Sequence, residues 1–211
     1  MLDNFRAVFT AIFTPVARVL LRMGVSPDAV TLVGTIGVSS MALYFFPQGE
    51  LLVGTLAITA FVFSDLLDGT MARLSGRTSP FGAFLDSTLD RIGDAAIFAG
   101  LILYFASPHV AGTDDPGLYQ ALTTYCLVSG AITSYARARA ESLGFSASVG
   151  IAERADRLVL ILFATGLSEL LALPVLLFGA LWILAAASTL TVLQRIWVVR
   201  QQARSQSVRP D

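Results

Sequence analysis

The sequence predicts an all-α integral membrane protein with six transmembrane helices and an N-terminal amphipathic juxtamembrane helix. Three observations lead to this fold class. Of the 211 residues, 55% are hydrophobic and 14% are charged. Six apolar runs each approach the length of about 20 residues that a helix needs to cross the hydrocarbon core. All 14 basic residues are arginines, and they fall on one side when these runs are laid out as spans.

The predicted elements follow the chain in order. An amphipathic helix is expected at 4–22, where apolar residues recur at intervals of three and four. Its apolar face suits the membrane interface or the protein's own surface, and the two can both hold. Residues 1–200 are expected to form one membrane domain, followed by a polar tail at 201–211. The six spans are predicted near 28–47, 51–74, 82–107, 117–139, 154–172 and 174–197.

The arginines determine the expected orientation. Six spans place both termini on one side, and the loops of the opposite side contain Glu50, Asp114, Asp115 and Glu169 but no arginine. Under the positive-inside rule, the termini and the arginines face the cytoplasm. We therefore expect a multi-pass protein of the cell membrane with a cytoplasmic active site. A single cysteine excludes an intrachain disulfide, and no nucleic-acid partner is expected.

Four aspartates interrupt the second and third apolar runs. Asp65 and Asp68 are three residues apart, and Asp86 and Asp90 are four apart. Both spacings place residues on one face of a helix. A turn at 74–81 would fold the two helices into an antiparallel pair, with the four acids level in two pairs. Ionisable side chains within a membrane are costly, and they are interpreted as functional by default.

This group of carboxylates predicts bound divalent metal, because four acids in a low dielectric do not all stay ionised without a cation. Oxygen ligands without His or Cys suit Mg²⁺, Mn²⁺ or Ca²⁺. Gly69 and Ala72 leave space beside the acids, and Arg73 adds a charge that suits a phosphate oxygen. These are the requirements for displacement at phosphorus. Helix capping does not explain four level acids, and an ion path does not explain the small residues.

The same residues form the pattern D-x2-D-G-x2-A-R-x8-G-x3-D-x3-D at 65–90. It resembles the signature of the CDP-alcohol phosphotransferases, membrane enzymes that join a CDP-activated group to an alcohol. The resemblance implies a homodimer, two Mg²⁺ ions (or Mn²⁺) on the aspartates Asp65, Asp68, Asp86 and Asp90, and Asp90 as the general base. It also implies that CDP-diacylglycerol is bound by Pro27, Asp28, Thr31, Gly69, Ala72, Arg73 and Gly82.

A second polar stretch at 134–157 combines arginines with acids. Orientation alone requires no acids, so Glu141, Glu153 and Asp156 favour an ordered cationic pocket for a phosphorylated second substrate. The alternative is that the arginines set orientation and contact anionic lipid head groups. This stretch resembles that of the actinobacterial phosphatidylinositol phosphate synthases. The resemblance implies inositol phosphate as acceptor, with its phosphate held by Arg137, Arg157 and Arg195 and with Ser134, Arg139 and Arg154 nearby.

The expected function is metal-dependent transfer of the phosphatidyl group of CDP-diacylglycerol to inositol phosphate, giving phosphatidylinositol phosphate and CMP. Two alternatives stay open at this point. A phosphatidylglycerophosphate synthase would use glycerol phosphate, which also bears a phosphate, and the arginines do not separate the two acceptors. A cation transporter, from another class, would use the four acids as its pathway.

Overall fold

The computed structural model describes residues 13–62, 64–76, 79–110, 112–151 and 153–207, without the side chains of 64–66. Within these residues the regular elements are all helices, which confirms the all-α class. The first described residues, 13–22, are helical (α1), and the rest of the predicted amphipathic helix, 4–12, lies outside the described residues. The other helices are α2 (Pro27–Phe45, followed by a 3₁₀ turn at Phe46–Gln48), α3 (Leu51–Val62), α4 (Ser64–Ser75), α5 (Pro80–Phe105), α6 (Pro116–Ser142), α7 (Arg154–Leu170) and α8 (Val175–Ser207).

Local chemistry explains where several helices begin. α2, α5 and α6 each start with a proline at the first helical position, where its missing N–H is no loss. The residue before each proline caps the helix: Ser26, Ser79 and Asp115 accept a backbone N–H three residues on, at 3.2, 2.9 and 3.0 Å. α7 begins with a capping box between Glu153 and Asp156. The polar ends of the helices are therefore encoded locally.

Three helical segments of the described chain are long and apolar enough to cross a membrane: Pro27–Gln48, Leu51–Ser75 and Val175–Gln206. The other three predicted spans correspond to α5, α6 and α7, and the count of six crossings stays a prediction. α8 continues to Ser207, beyond the predicted end of the last span at 197. The side chain of Gln202 donates to Ser146 O and accepts from Ser146 N, at 2.6 and 2.9 Å, which ties this end of α8 to the loop after α6.

Helix α2 organises the half of the molecule that carries the aspartates. It packs against both α4 and α5, more extensively than α4 and α5 pack against each other in the described chain. The predicted direct pairing of α4 and α5 is thus largely replaced by contacts through α2. A small residue permits the close packing of α5 on α2, since a Cβ on Gly100 would lie 2.5 Å from Ala42 O. Gly37 does the same between α2 and α3, where a Cβ would lie 2.2 Å from Phe61 Cδ1.

The apolar core supports the polar site from one side. It is formed by buried side chains of α2, the 3₁₀ turn, α3 and α5 to α8, among them Phe46, Leu101, Ile161 and Leu181. α6 packs against α5 and α8, and α3 packs against α7. The polar residues of α5 to α8 are therefore attached to helices that the apolar core anchors, and α4 is held mainly by its packing against α2.

Candidate active site

A cavity of about 300 Å³, here called the aspartate cavity, opens between the first turns of α2 and α5 and the middle of α4. It brings together two of the four aspartates predicted to bind metal and six of the seven residues predicted to bind CDP-diacylglycerol. The predicted residues that line it are Pro27, Asp28, Thr31, Asp68, Gly69, Ala72, Gly82 and Asp86. Residues as far apart in the sequence as Pro27 and Asp86 thus share one surface because α2 lies against both other helices.

Asp68 is the most enclosed acid of this cavity, with 7% of the residue exposed. Its Oδ2 accepts a hydrogen bond of 2.6 Å from Thr31 Oγ1, which is itself buried. A carboxylate has about four lone-pair positions, so one hydroxyl donor orients the group and uses only one of them. Thr31 was expected beside the nucleotide. The structure places its hydroxyl on a carboxylate that is predicted to bind metal.

Small residues shape the cavity wall. A Cβ added to Gly69 would meet no atom within 4 Å, so the surface of α4 is open there. A Cβ on Gly82 would lie 3.3 Å from Ser79 Oγ, the cap of the same helix, and 3.5 Å from Asp28 Oδ1, so the starts of α2 and α5 lie close together here. Arg73 does not line the cavity. Its side chain is exposed at the end of α4, with Nη2 3.4 Å from Thr70 Oγ1.

A second cavity, of about 450 Å³ and here called the arginine cavity, lies between α5, α6, α7 and α8. It contains five of the six residues predicted to bind the acceptor phosphate, and Arg91, Glu141 and Glu153 also line it. The five are Ser134, Arg137, Arg154, Arg157 and Arg195. Arg139 does not line this cavity, because its exposed side chain points to Ser142, with Nη1 3.4 Å from the hydroxyl.

Two of these arginines are almost fully buried. Arg157 and Arg195 are each 4% exposed. Arg195 donates from Nε to Val149 O at 2.9 Å and from Nη1 to Thr133 O, so it joins α6 to the loop before α7. Gly130 borders the other guanidinium, since a Cβ there would lie in van der Waals contact with Arg157 Nε, at 3.4 Å. Buried cations of this kind require anionic or carbonyl partners.

Ion pairs connect the arginine cavity to Asp90. Arg154 Nη1 lies 3.0 Å from Asp90 Oδ1, and its Nε lies 3.0 Å from Asp94 Oδ1. Arg157 Nη2 is 3.8 Å from Asp94 Oδ2. Arg91 is within 4.0 Å of both acids. Asp90, the predicted general base, is therefore held by the arginines of the second cavity and lies outside the lining of the first.

Sequence analysis did not assign a role to Asp94, although a signal was present. Asp86, Asp90 and Asp94 follow one another at intervals of four, so they share one face of α5. Asp86 and Asp90 belong to the aspartate pattern at 65–90, which ends before Asp94. What the sequence could not indicate is that the arginines beside Asp94 come from α7, 60 residues further along.

The donor set fits a hard divalent cation, because the acids around the aspartate cavity offer only carboxylate oxygens. Asp68 and Asp86 line that cavity. The side chain of Asp65 lies outside the described residues. Among the side chains that are described, no three His, Cys, Asp or Glu residues come close enough to hold a metal ion together. The set of four metal-binding aspartates therefore stays a prediction.

Comparisons with known proteins agree on one family. The model of the CDP-alcohol phosphatidyltransferases matches residues 24–191. The phosphatidylinositol phosphate synthases of Streptomyces avermitilis and Cutibacterium acnes are each 50% identical to the chain, covering 96% and 97% of it and 84% and 100% of their own lengths. Among solved structures, the Mycobacterium tuberculosis phosphatidylinositol phosphate synthase with CDP-DAG bound superimposes with a TM-score of 0.83 at 41% identity, covering 90% of this chain and 94% of that one. The same enzyme in complex with manganese and citrate gives a TM-score of 0.82 at 42% identity, covering 89% and 88%.

Proposed function

The chain belongs to the CDP-alcohol phosphatidyltransferase family, as the aspartate pattern predicted, and from this premise we propose that it makes phosphatidylinositol phosphate. It transfers the phosphatidyl group of CDP-diacylglycerol to a hydroxyl of inositol phosphate and releases CMP. The observation that carries the proposal is a pair of cavities along α5. The first is lined by aspartates and small residues, and the second is lined by arginines, of which Arg154 pairs with Asp90, one turn beyond Asp86. The family assignment leaves no basis for the cation transporter.

The aspartate cavity is the site of the donor. Pro27, Asp28 and Thr31 line the wall formed by α2, and Gly69 opens the wall formed by α4, where the CDP moiety fits. Two Mg²⁺ ions, or Mn²⁺, would be held by the carboxylates Asp65, Asp68, Asp86 and Asp90. When bound, these ions neutralise charge on the pyrophosphate and on the departing CMP. The manganese complex of the M. tuberculosis relative supports this choice of metal.

The arginine cavity is the site of the acceptor. Guanidinium groups bind phosphate oxygens in pairs and keep their charge when buried, which suits a sugar phosphate. Arg157 and Arg195 form its buried wall, while Arg137 stands at the exposed rim, with Nε 2.9 Å from Glu141 Oε1. Inositol phosphate bound there presents its hydroxyls toward Asp90, because Arg154 contacts that carboxylate directly.

Asp90 then takes the proton from the attacking hydroxyl. The hydroxyl oxygen forms a bond to the phosphorus attached to diacylglycerol, and the bond from that phosphorus to the CMP oxygen breaks. The phosphatidyl group is thereby joined to inositol phosphate, and CMP leaves as an anion.

The apolar helices indicate a membrane protein, and we place six spans in the cell membrane with both termini and both cavities on the cytoplasmic side. The acyl chains of CDP-diacylglycerol would lie in the bilayer beside the aspartate cavity. A homodimer is proposed by similarity to the family.

The test measures CMP release from CDP-diacylglycerol by the purified protein, with inositol phosphate, free inositol or glycerol phosphate as acceptor. We expect release only with inositol phosphate, and its loss in Asp90→Asn, which keeps the size of the side chain. Asp114→Asn, the same change in an exposed outer loop, is the matched control. CMP release with glycerol phosphate alone would overturn the assignment of inositol phosphate as the acceptor. Undiminished CMP release by Asp90→Asn would overturn the role of Asp90 as the general base.

A further inference from the structure

Asp94 contacts three of the arginines that line the arginine cavity. Only 13% of its side chain is exposed, and its two oxygens lie 3.0 Å from Arg154 Nε and 3.8 Å from Arg157 Nη2. Arg91 Nε is 4.0 Å away. All three arginines line the arginine cavity and Asp94 does not. Asp94 lines the neighbouring, largely apolar cavity between α5 and α6, which Arg91 and Arg157 also border. Asp94 thus contacts these arginines without itself lining the arginine cavity.

Resting on the proposed function, we propose that Asp94 is a positioning residue that aligns Arg154 and Arg157 for the phosphate of the acceptor. A carboxylate repels a phosphate, so Asp94 acts through its arginine partners. Arg154 is held by two carboxylates, from Nε to Asp94 and from Nη1 to Asp90, and this fixes the plane of its guanidinium. Planar guanidinium groups bind phosphate well only when the fork faces the oxygens.

Charge balance explains why an acid is needed at this position. Arg91, Arg154 and Arg157 converge on one small region, and like charges this close repel one another. Asp94 contacts all three arginines, so it lowers this repulsion before any phosphate arrives. Without its charge, we expect the guanidinium groups to move apart. Binding of the acceptor must then bring them together again, and this reordering weakens its affinity.

The first experiment compares Asp94→Asn with the wild type, and with Asp114→Asn as the matched control. We expect the KM for inositol phosphate to rise about tenfold or more, as for other residues that orient a ligand-binding group. The KM for CDP-diacylglycerol should change less than about twofold, since the aspartate cavity does not include Asp94. A merely structural role would raise both KM values or neither, and that result overturns the proposal.

Direct binding separates this inference from the proposed function. Calorimetric titration of inositol phosphate, and of inorganic phosphate, into the purified protein should give Kd values about tenfold higher for Asp94→Asn. This holds whether or not the wild type turns over inositol phosphate, so failure of the proposed reaction leaves the inference testable with inorganic phosphate. Equal Kd values for the variant and the wild type overturn the positioning role.

A double-mutant cycle tests the route of action. If Asp94 acts through Arg154, the double variant Asp94→Asn with Arg154→Gln should show a smaller rise in KM than the product of the two single effects. A rise in KM equal to that product within twofold would show that Asp94 does not act through Arg154. Where Asp94→Asn lowers the unfolding midpoint by more than about 5 °C, Asp94→Glu replaces it. This variant keeps the charge but displaces the carboxylate by one methylene, and a wild-type Kd for phosphate then overturns the proposal.

Discussion

The hydrogen bond between Thr31 and Asp68 offers a sharp test of how the donor site is built. Thr31 Oγ1 donates to Asp68 Oδ2 at 2.6 Å, and both residues are buried. Thr31→Val replaces the hydroxyl by a methyl group of similar size, so it removes the donor with little change of shape. Two roles then become distinguishable: contact with the nucleotide, or orientation of a carboxylate that binds metal.

The expected magnitude follows from the geometry. A hydrogen bond to a charged group contributes about 1.5 to 3 kcal/mol, and each 1.4 kcal/mol corresponds to about a factor of ten. Loss of the bond should therefore raise the Mg²⁺ concentration that gives half-maximal CMP release by roughly 10- to 100-fold, in the range known for residues that support metal ligands. The KM for CDP-diacylglycerol at saturating Mg²⁺ should change less, because the cavity wall keeps its shape.

The assay is CMP release as a function of Mg²⁺ concentration, repeated with Mn²⁺. Thr124→Val is the matched control: Thr124 Oγ1 donates to a backbone carbonyl at 2.9 Å on the exposed face of α6, away from both cavities. If Thr31→Val leaves the Mg²⁺ requirement unchanged and raises the KM for CDP-diacylglycerol, Thr31 does not orient Asp68 for metal. That result would instead indicate that Thr31 contacts the nucleotide.

Three further variants probe the cavities and their support. Gly69→Val, on an open surface of α4, should keep the unfolding midpoint but raise the KM for CDP-diacylglycerol about tenfold by filling the cavity; an unchanged KM would contradict this. Gly37→Ala places a Cβ 2.2 Å from Phe61 Cδ1 and should destabilise the fold by about 1 to 3 kcal/mol, measured by thermal unfolding in detergent. Arg195→Lys keeps the charge but not the fork that reaches Thr133 O and a second carbonyl, so both the unfolding midpoint and the affinity for inositol phosphate should fall. Wild-type values for both would count against a dual role.

Much of the architecture follows from features that are local in the chain. Apolar runs predicted the helices, and a capping residue followed by proline accounts for the starts of α2, α5 and α6. Helical periodicity placed Asp65 with Asp68, and Asp86 with Asp90, on one helix face without knowledge of any other segment, and the resemblance of the pattern at 65–90 to a known signature predicted the family. Of the seven residues predicted by resemblance for the donor and the six predicted for the acceptor, all but Arg73 and Arg139 line the two cavities, and their roles stay predictions.

Only the tertiary structure decided which of these groups meet. Three hydrogen bonds join residues that are distant in the sequence. They connect Thr31 with Asp68, Arg154 with Asp94, and Arg195 with Thr133, over separations of 37, 60 and 62 residues. Periodicity states which face of a helix a side chain occupies but not which helix lies opposite. An arginine side chain is also long enough to reach any of several acids at similar cost. The packing of α2 between α4 and α5, and of α7 beside α5, selects among those partners, and that selection depends on shape complementarity over whole helix surfaces.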